Sequence, residues 1–410
     1  MDMDFKNDVE ILAPAGDYEC LEAAVRFGAD AVYLGMSFFG MRDAAKGFEA
    51  DELKKAVMYA HKHNVKVYLT VNIIPHNHHI TQLPQLIETA KNADIDAFIV
   101  ADLGVMAIIK ELASDIPIHI STQAGVINYA AACELYKMGA KRIILARELT
   151  IDEIKEIREN IPDDLELEVF VHGAICVSFS GRCLLSNYMT GRDANLGKCA
   201  QPCRWNYKLM EEKRPGEFYP VYEDEMGTTI LNAADMSMLE HLDKLKNIGV
   251  TNFKIEGRAK SMYYVSSVTS AYSQAKKQLL KDEYILPQWV KDEVYKVSNR
   301  NYTTGFFFDK NGAKGKPAEN GYIRTYNFIA VITGYENGCI IASQRGKFYL
   351  GDTLEVLSPN IEPYEIKISE MYDENFSPIE STPHAKMKIY IKNEKKLPLG
   401  SILRQITNYK

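Results

Sequence analysis

Four cysteines, Cys176, Cys183, Cys199 and Cys203, fall within 28 residues in the pattern C-x6-C-x15-C-x3-C. Thiolates at that density bind soft metal centres, and two chemistries compete for them, a tetrahedral zinc ion and an iron-sulfur cluster. Zinc sites usually use close Cys pairs, so the wide, irregular gaps lean toward a cluster. Around these thiols the charge reverses. From 174 to 210, Arg182, Arg192, Lys198, Arg204 and Lys208 stand against Asp193 alone, with Tyr188, Trp205 and Tyr207 interleaved. A segment of that kind suits phosphates and unstacked bases, or offsets the charge of an anionic metal-thiolate centre. The isolated Cys20, Cys133 and Cys339 sit in helix or strand patterns and read as small buried hydrophobes. His76, His78 and His79 read as a solvated loop, because no carboxylate or Cys stands at ligand spacing beside them.

Something must position those thiols, and the pattern of the first 260 residues supplies it. Eight apolar or β-branched runs alternate with amphipathic stretches: 9–15, 31–35, 66–72, 97–102, 118–123, 142–148, 167–173 and 252–258. This is the signature of repeated βα units, and eight of them predict an α/β fold, a closed (β/α)8 TIM-like barrel. Helices are expected over 18–27, 51–63 and 151–160, the last opened by a capping box of Thr150 with Glu153, and over 261–281. A Cys-rich insertion, 174–251, separates strands seven and eight. The barrel domain spans 1–310, a Gly/Lys/Pro-rich linker 311–324, and a small all-β, barrel-like domain 325–410 that carries 10 basic and 10 acidic side chains.

Active sites of βα barrels lie at the C-terminal ends of the strands. Asn72, Asp102, Gln123, Arg147, Glu148, His172, Lys254, Glu256 and Arg258 end the runs and become pocket candidates. Of these, His172, Glu256, Arg147 and Glu148 are the candidates for catalysis. Lys254, Arg258, Asn72 and Gln123, with Arg182 and Arg204 of the insertion, are the candidates for substrate binding. The 410-residue chain has a formal charge of −7, which argues against a surface that coats nucleic acid everywhere. No apolar run approaches the ~20 residues of a membrane span, and the acidic start is unlike a secretory signal, so a cytoplasmic protein with no membrane partner is expected. GxSxG, HExxH and Walker-type motifs are absent.

The stretch EVFVHGAICVSFSGRCLLS (168–186) followed by GKCAQPCRW (197–205) resembles the signature of peptidase family U32, the collagenase-like proteins. LAPAGDYECLEAAVRFGADAVYLG, FKIEGRAKS and RNYTTGF are similar to that family as well, so the resemblance covers essentially the whole chain. It implies a 4Fe-4S cluster on Cys176, Cys183 and Cys199 with Cys203 as the natural fourth ligand. His172 and Glu168 fall in the matched signature without a role being fixed by it. The length and the added β domain resemble the branch that converts the wobble uridine of tRNA to 5-hydroxyuridine without oxygen, with prephenate as co-substrate. Arg147, Lys254 or Arg258 could hold prephenate's two carboxylates. The implied partners are tRNA and a shorter paralogue of the same family. The alternatives are a collagenase-like peptidase, a hydroxylase of ribosomal RNA or of a quinone precursor, and a non-catalytic RNA-binding protein. The β domain is expected to position the tRNA body or pack against the barrel.

Overall fold

The computed structural model describes residues 9–37, 39, 47–176, 178–205, 208–209, 219–220, 234–310 and 322–407. Eight parallel strands close into a barrel: β1 (Glu10–Pro14), β2 (Ala31–Leu34), β3 (Lys66–Val71), β4 (Ala97–Val100), β5 (Ile118–Ile120), β6 (Ala140–Ile144), β7 (Glu166–Ala174) and β8 (Asn252–Ile255). β8 pairs with β1 on one side and β7 on the other, which closes the ring. Runs such as AVYL and AFIV are buried throughout because helices cover the outer face of a parallel sheet. β6 begins and ends earlier than the apolar run predicts, so Arg147 and Glu148 lie in the loop beyond the strand.

The outer ring comprises α1 (Tyr18–Arg26), α2 (Ala50–Lys62), α3 (Leu83–Ala93), α4 (Leu103–Leu112), α5 (Tyr129–Lys137), α6 (Ile151–Glu159) and α7 (Met262–Gln278). Loop side chains start these helices. Asp17, Asp102 and Asn128 accept the N–H of Cys20, Val105 and Ala131, at 2.9, 3.0 and 2.9 Å. The capping box at Thr150 and Glu153 is present, with Thr150 N–H donating to Glu153 at 2.9 Å. β7 runs past the barrel and pairs antiparallel with Asp235–Ser237, which in turn pairs with Tyr302–Thr303. Residues 177, 206–207, 210–218 and 221–233 of the insertion, and 311–321 of the linker, lie outside the described residues, as does the side chain of Arg204.

The C-terminal strands are β9 (Tyr326–Glu336), β10 (Cys339–Gln344), β11 (Thr353–Ser358), β12 (Ile361–Lys367), β13 (Met371–Tyr372), β14 (Lys388–Lys392) and β15 (Ile402–Ile406). They form one antiparallel sheet in the order β12-β11-β15-β9-β10-β14-β13. One face holds the domain's own core, including Ile332, Ile340, Phe348 and Ile389, while Val331, Leu357 and Ile402 join the core of the barrel. Arg404 of β15 is fully buried at that junction, bonded to Glu293 at 2.5 and 2.7 Å and also to Glu355.

Candidate active site at the barrel mouth

Below the mouth the barrel is filled by charge where branched apolar side chains would be usual. Glu168 of β7 has no exposed surface and lies 3.1 Å from Arg142 and 2.9 Å from Lys254. Arg142 also reaches Glu10 and Glu166, each at 2.7 Å, and Tyr68 donates its hydroxyl to Glu10 at 2.8 Å. Burial lowers the pKa of Lys254 against the opposing pull of Glu168. The Lys254 ammonium also sits 4.5 Å from the centre of the Tyr33 ring, a cation-π contact.

Above this network opens a cavity of about 350 Å³. Of the predicted residues, Asn72, Gln123, Arg147, Lys254, Glu256 and Arg258 line it, together with all four clustered cysteines. Among the described residues, five cations line it (Arg147, Arg192, Lys254, Arg258 and Lys260) against the single carboxylate of Glu256, so this part of its wall is positive in a chain whose net charge is negative. Arg147 donates to Glu256 at 2.8 Å and to the Ala174 carbonyl at 2.8 Å, while its guanidinium stacks 3.8 Å from the Phe170 ring. Arg258 donates to Thr70 at 2.6 Å. A Cβ on Gly35 would fall 2.5 Å from that guanidinium, so Gly35 makes its room.

Four of the predicted residues do not line the cavity. Asp102 does not line the cavity, because its carboxylate caps α4. Glu148 does not line it but binds Ser180, which does: Oε1 accepts the Ser180 N–H at 2.6 Å and Oε2 its hydroxyl at 2.8 Å, clamping a residue whose φ is +45°. Arg182 braces the same loop by donating Nε to the Gln123 carbonyl at 2.7 Å. His172 is buried behind the wall, where Nδ1 meets the Tyr272 hydroxyl at 3.3 Å and Nε2 the Tyr302 hydroxyl at 3.2 Å. Burial, helped by Lys260, pushes its pKa down to about 3. Glu148 and Arg182 hold the loop that lines the cavity, and His172 stands behind the wall with no exposed surface.

The cysteines line the cavity as thiols, and none of the seven forms a disulfide. The Leu185 N–H donates to Cys183 Sγ and the Gln201 N–H to Cys199 Sγ, both at 3.3 Å, in the i+2 to i sense. Such N–H···S bonds stabilise thiolate and tune the potential of iron-sulfur centres. Among the described residues no three His, Cys, Asp or Glu side chains stand together as a ready-made metal site. The donor set and its enclosure in one cavity nonetheless fit a thiolate-bound centre. His76, His78 and His79 pack on one another. Cys20 is inert, its pKa pushed up to about 12 by burial, and Cys339 lies in β10 of the other domain.

Sequence reasoning passed over Tyr33, Thr70, Ser121 and Lys260, which also line the cavity. Thr70 and Tyr33 sit inside apolar runs, where a polar atom is masked by its neighbours. Outside the cavity, Phe179, Leu184, Tyr188, Met189 and Trp205 of the insertion are exposed at 47, 73, 88, 43 and 47 %.

The model of Peptidase family U32 matches residues 16–317, and that of the Peptidase family U32 C-terminal domain matches residues 324–404. An uncharacterized protease of Methanocaldococcus jannaschii is 44% identical over 304 residues, 73% of this chain and 73% of that protein. The tRNA hydroxylation protein P1 of Bacillus subtilis is 33% identical over 402 residues, 97% of this chain and 94% of that protein. The tRNA hydroxylation protein P of Escherichia coli is 33% identical over 392 residues, 85% and 86% of the two chains.

Proposed function

Because this chain belongs to peptidase family U32, whose two models together match it from residue 16 to residue 404, we propose that it hydroxylates the wobble uridine of tRNA at C5. The observation that carries the reading is that four thiols and five cations line one cavity at the barrel mouth. The two relatives named for tRNA hydroxylation span at least 85% of the chain, and support it.

Cys176, Cys183, Cys199 and Cys203 would hold a 4Fe-4S cluster. Bound there, it would supply the one-electron chemistry that oxygen insertion without dioxygen requires. The chain's own residues do the rest. Arg147, fixed by Glu256 and Phe170, and Lys254, fixed by Glu168, present two held cations to an anionic co-substrate, for which prephenate with its two carboxylates is suited. The exposed aromatic and apolar side chains of the insertion, with Arg192 and Lys198 among them in sequence, offer stacking and phosphate contacts to a single-stranded anticodon loop. A wobble base is accessible without opening a duplex.

A peptidase needs an activated nucleophile. Here the one buried His of the family-like signature has both ring nitrogens against tyrosine hydroxyls and stays neutral, which argues against that alternative. The test is to delete the gene and measure tRNA nucleosides by mass spectrometry. Loss of hydroxyuridine or of its further-modified derivatives is expected. Unchanged tRNA with a hydroxyl missing from ribosomal RNA or a quinone would keep the chemistry and change the substrate. Unchanged nucleosides together with gelatin cleavage abolished by a point mutation would establish the peptidase. Binding of tRNA with every nucleoside mass unaltered would indicate a non-catalytic binder.

A further inference from the structure

The loop that joins Cys176 to Cys183 turns through two consecutive left-handed residues, Ser180 at φ +45° and Gly181 at φ +81°. Glycine takes that conformation freely, but in serine the Cβ crowds the backbone. A serine held there persists only where its surroundings over-determine it. Glu148, in the loop after β6, does so: Oε1 accepts the Ser180 N–H at 2.6 Å and Oε2 the Ser180 hydroxyl at 2.8 Å. A carboxylate that accepts both groups of one buried residue is a strong, directional clamp. Other contacts fix the C-terminal end of the loop. Arg182 donates Nε to the Gln123 carbonyl at 2.7 Å, and the Cys183 N–H and carbonyl both bond the Asn195 amide, each at 3.3 Å. Ser180, Gly181 and the thiols on either side of them line the same cavity.

We propose that Glu148 is a positioning residue for the cysteine loop: it offsets the left-handed conformation of Ser180 and so sets where Cys176 and Cys183 stand in the cavity. Groups that orient the ligands of a metal centre tune it nearly as much as the ligands do. Two consequences separate this role from that of an acid or base. The clamp acts on conformation, so a glycine at position 180, which needs no help to reach positive φ, makes it dispensable. A glutamine at position 148 can accept the Ser180 N–H through Oε1 and donate to the Ser180 hydroxyl oxygen through Nε2, so it keeps both contacts without a charge. A general acid or base would not survive that exchange. The role rests on the hydroxylase reading above for what the thiols bind, and it names the residue that holds two of them in place.

The test compares the full-length wild type with Glu148→Ala, Glu148→Gln, Ser180→Gly and the double variant Glu148→Ala/Ser180→Gly. Release of iron to a chelator from protein prepared without air should be at least about ten-fold faster in Glu148→Ala, and within about three-fold of wild type in the other three. The second readout needs no metal. Iodoacetamide should alkylate Cys176 and Cys183 of the metal-free protein at least about five-fold faster in Glu148→Ala, with the other variants near wild type, as read by peptide mass spectrometry. Cys133 of α5 should react at one rate throughout, which separates a loosened loop from a misfolded chain. Equal alkylation rates in Glu148→Ala and the double variant would overturn the role, and so would a Glu148→Gln as fast as Glu148→Ala. A wild type that holds no iron would overturn the hydroxylase reading alone, because the alkylation series tests the clamp by itself.

Discussion

Glu168 is the carboxylate on which the barrel interior depends, and Glu168→Gln tests that dependence. The substitution keeps the side chain's shape but removes one negative charge from between two cations, at 3.1 Å from Arg142 and 2.9 Å from Lys254. Arg142 retains Glu10 and Glu166. Lys254 loses its contact carboxylate, and the new amide must turn its N–H groups toward one cation. Breaking a buried pair by removing one partner costs about 3–5 kcal/mol, because the remaining charge is stranded away from water. With an unfolding entropy of roughly 2.1 cal/mol/K per residue, a chain of 410 residues should lose about 3–6 °C in Tm. Thermal unfolding at pH 7, on protein prepared without air, measures it, and added salt should change the loss little because the pair is dry. The double variant Glu168→Gln/Lys254→Met removes the stranded ammonium too and should recover at least half of the loss. A single-variant shift under about 1 °C, or a double variant whose loss is the sum of the two singles, would refute the coupling.

Three further outcomes are expected. Because His172 is held near 3 when folded against about 6.5 unfolded, the unfolded chain binds a proton between those values that the native one does not. Stability should therefore fall as pH drops from 6.5 toward 3, by up to the order of 4–5 kcal/mol, and urea midpoints of His172→Asn should lack that part of the slope; an identical slope would rule the group out. Gly35→Ala would bring a Cβ to 2.5 Å from the Arg258 guanidinium and 2.8 Å from Thr70 Oγ1, so it should displace the Thr70–Arg258 pair and cut hydroxyuridine formation ten-fold or more; normal hydroxyuridine levels in a folded variant would show that the placement of this pair has no part in the reaction. Protein purified without air should be brown with about four irons per chain. Ala at Cys176, Cys183 or Cys199 should abolish the colour, and retention of the cluster in Cys203→Ala would move the fourth ligand elsewhere. Stoichiometric zinc with no iron would sink the cluster.

The barrel was legible because each parallel strand is buried on both faces and so reads as an apolar run, as in AVYL and AFIV. Strand ends were less legible, for a physical reason. A polar residue at the end of a βα strand can face the pocket or start the next helix, and its type alone does not separate the two. Asp102 caps α4, whereas Asn72 at the equivalent place after β3 faces the cavity. Glu148 looked like a pocket acid because the loop it clamps comes from 32 residues away and has no signature in the local pattern. β15 is a short run near the end of the chain, yet it is central to its sheet, between β11 and β9.

That same strand changes how the β domain can be studied. Arg404 of β15 is fully buried between Glu293, which belongs to the barrel side of the chain, and Glu355 of β11. Lys296 reaches Glu355 at 2.9 Å, and Tyr263 of α7 stacks on Phe328 of β9 with ring centres 5.3 Å apart. A chain ending near residue 320 would leave the Glu293 carboxylate without Arg404 in a site that has no exposed surface, and would strip Val331, Leu357 and Ile402 from the barrel's core. Both losses destabilise the barrel whether or not RNA touches the β domain. Weaker tRNA binding by such a truncation therefore says nothing about which domain holds the phosphates. The informative perturbation is one that leaves the junction whole and alters charge on the outer surface. The exposed Lys386, Lys388, Lys392, Lys395 and Lys396 supply a place for it: they stand against Glu394 alone over 386–396, a local positive strip on a domain whose remaining side chains are net acidic.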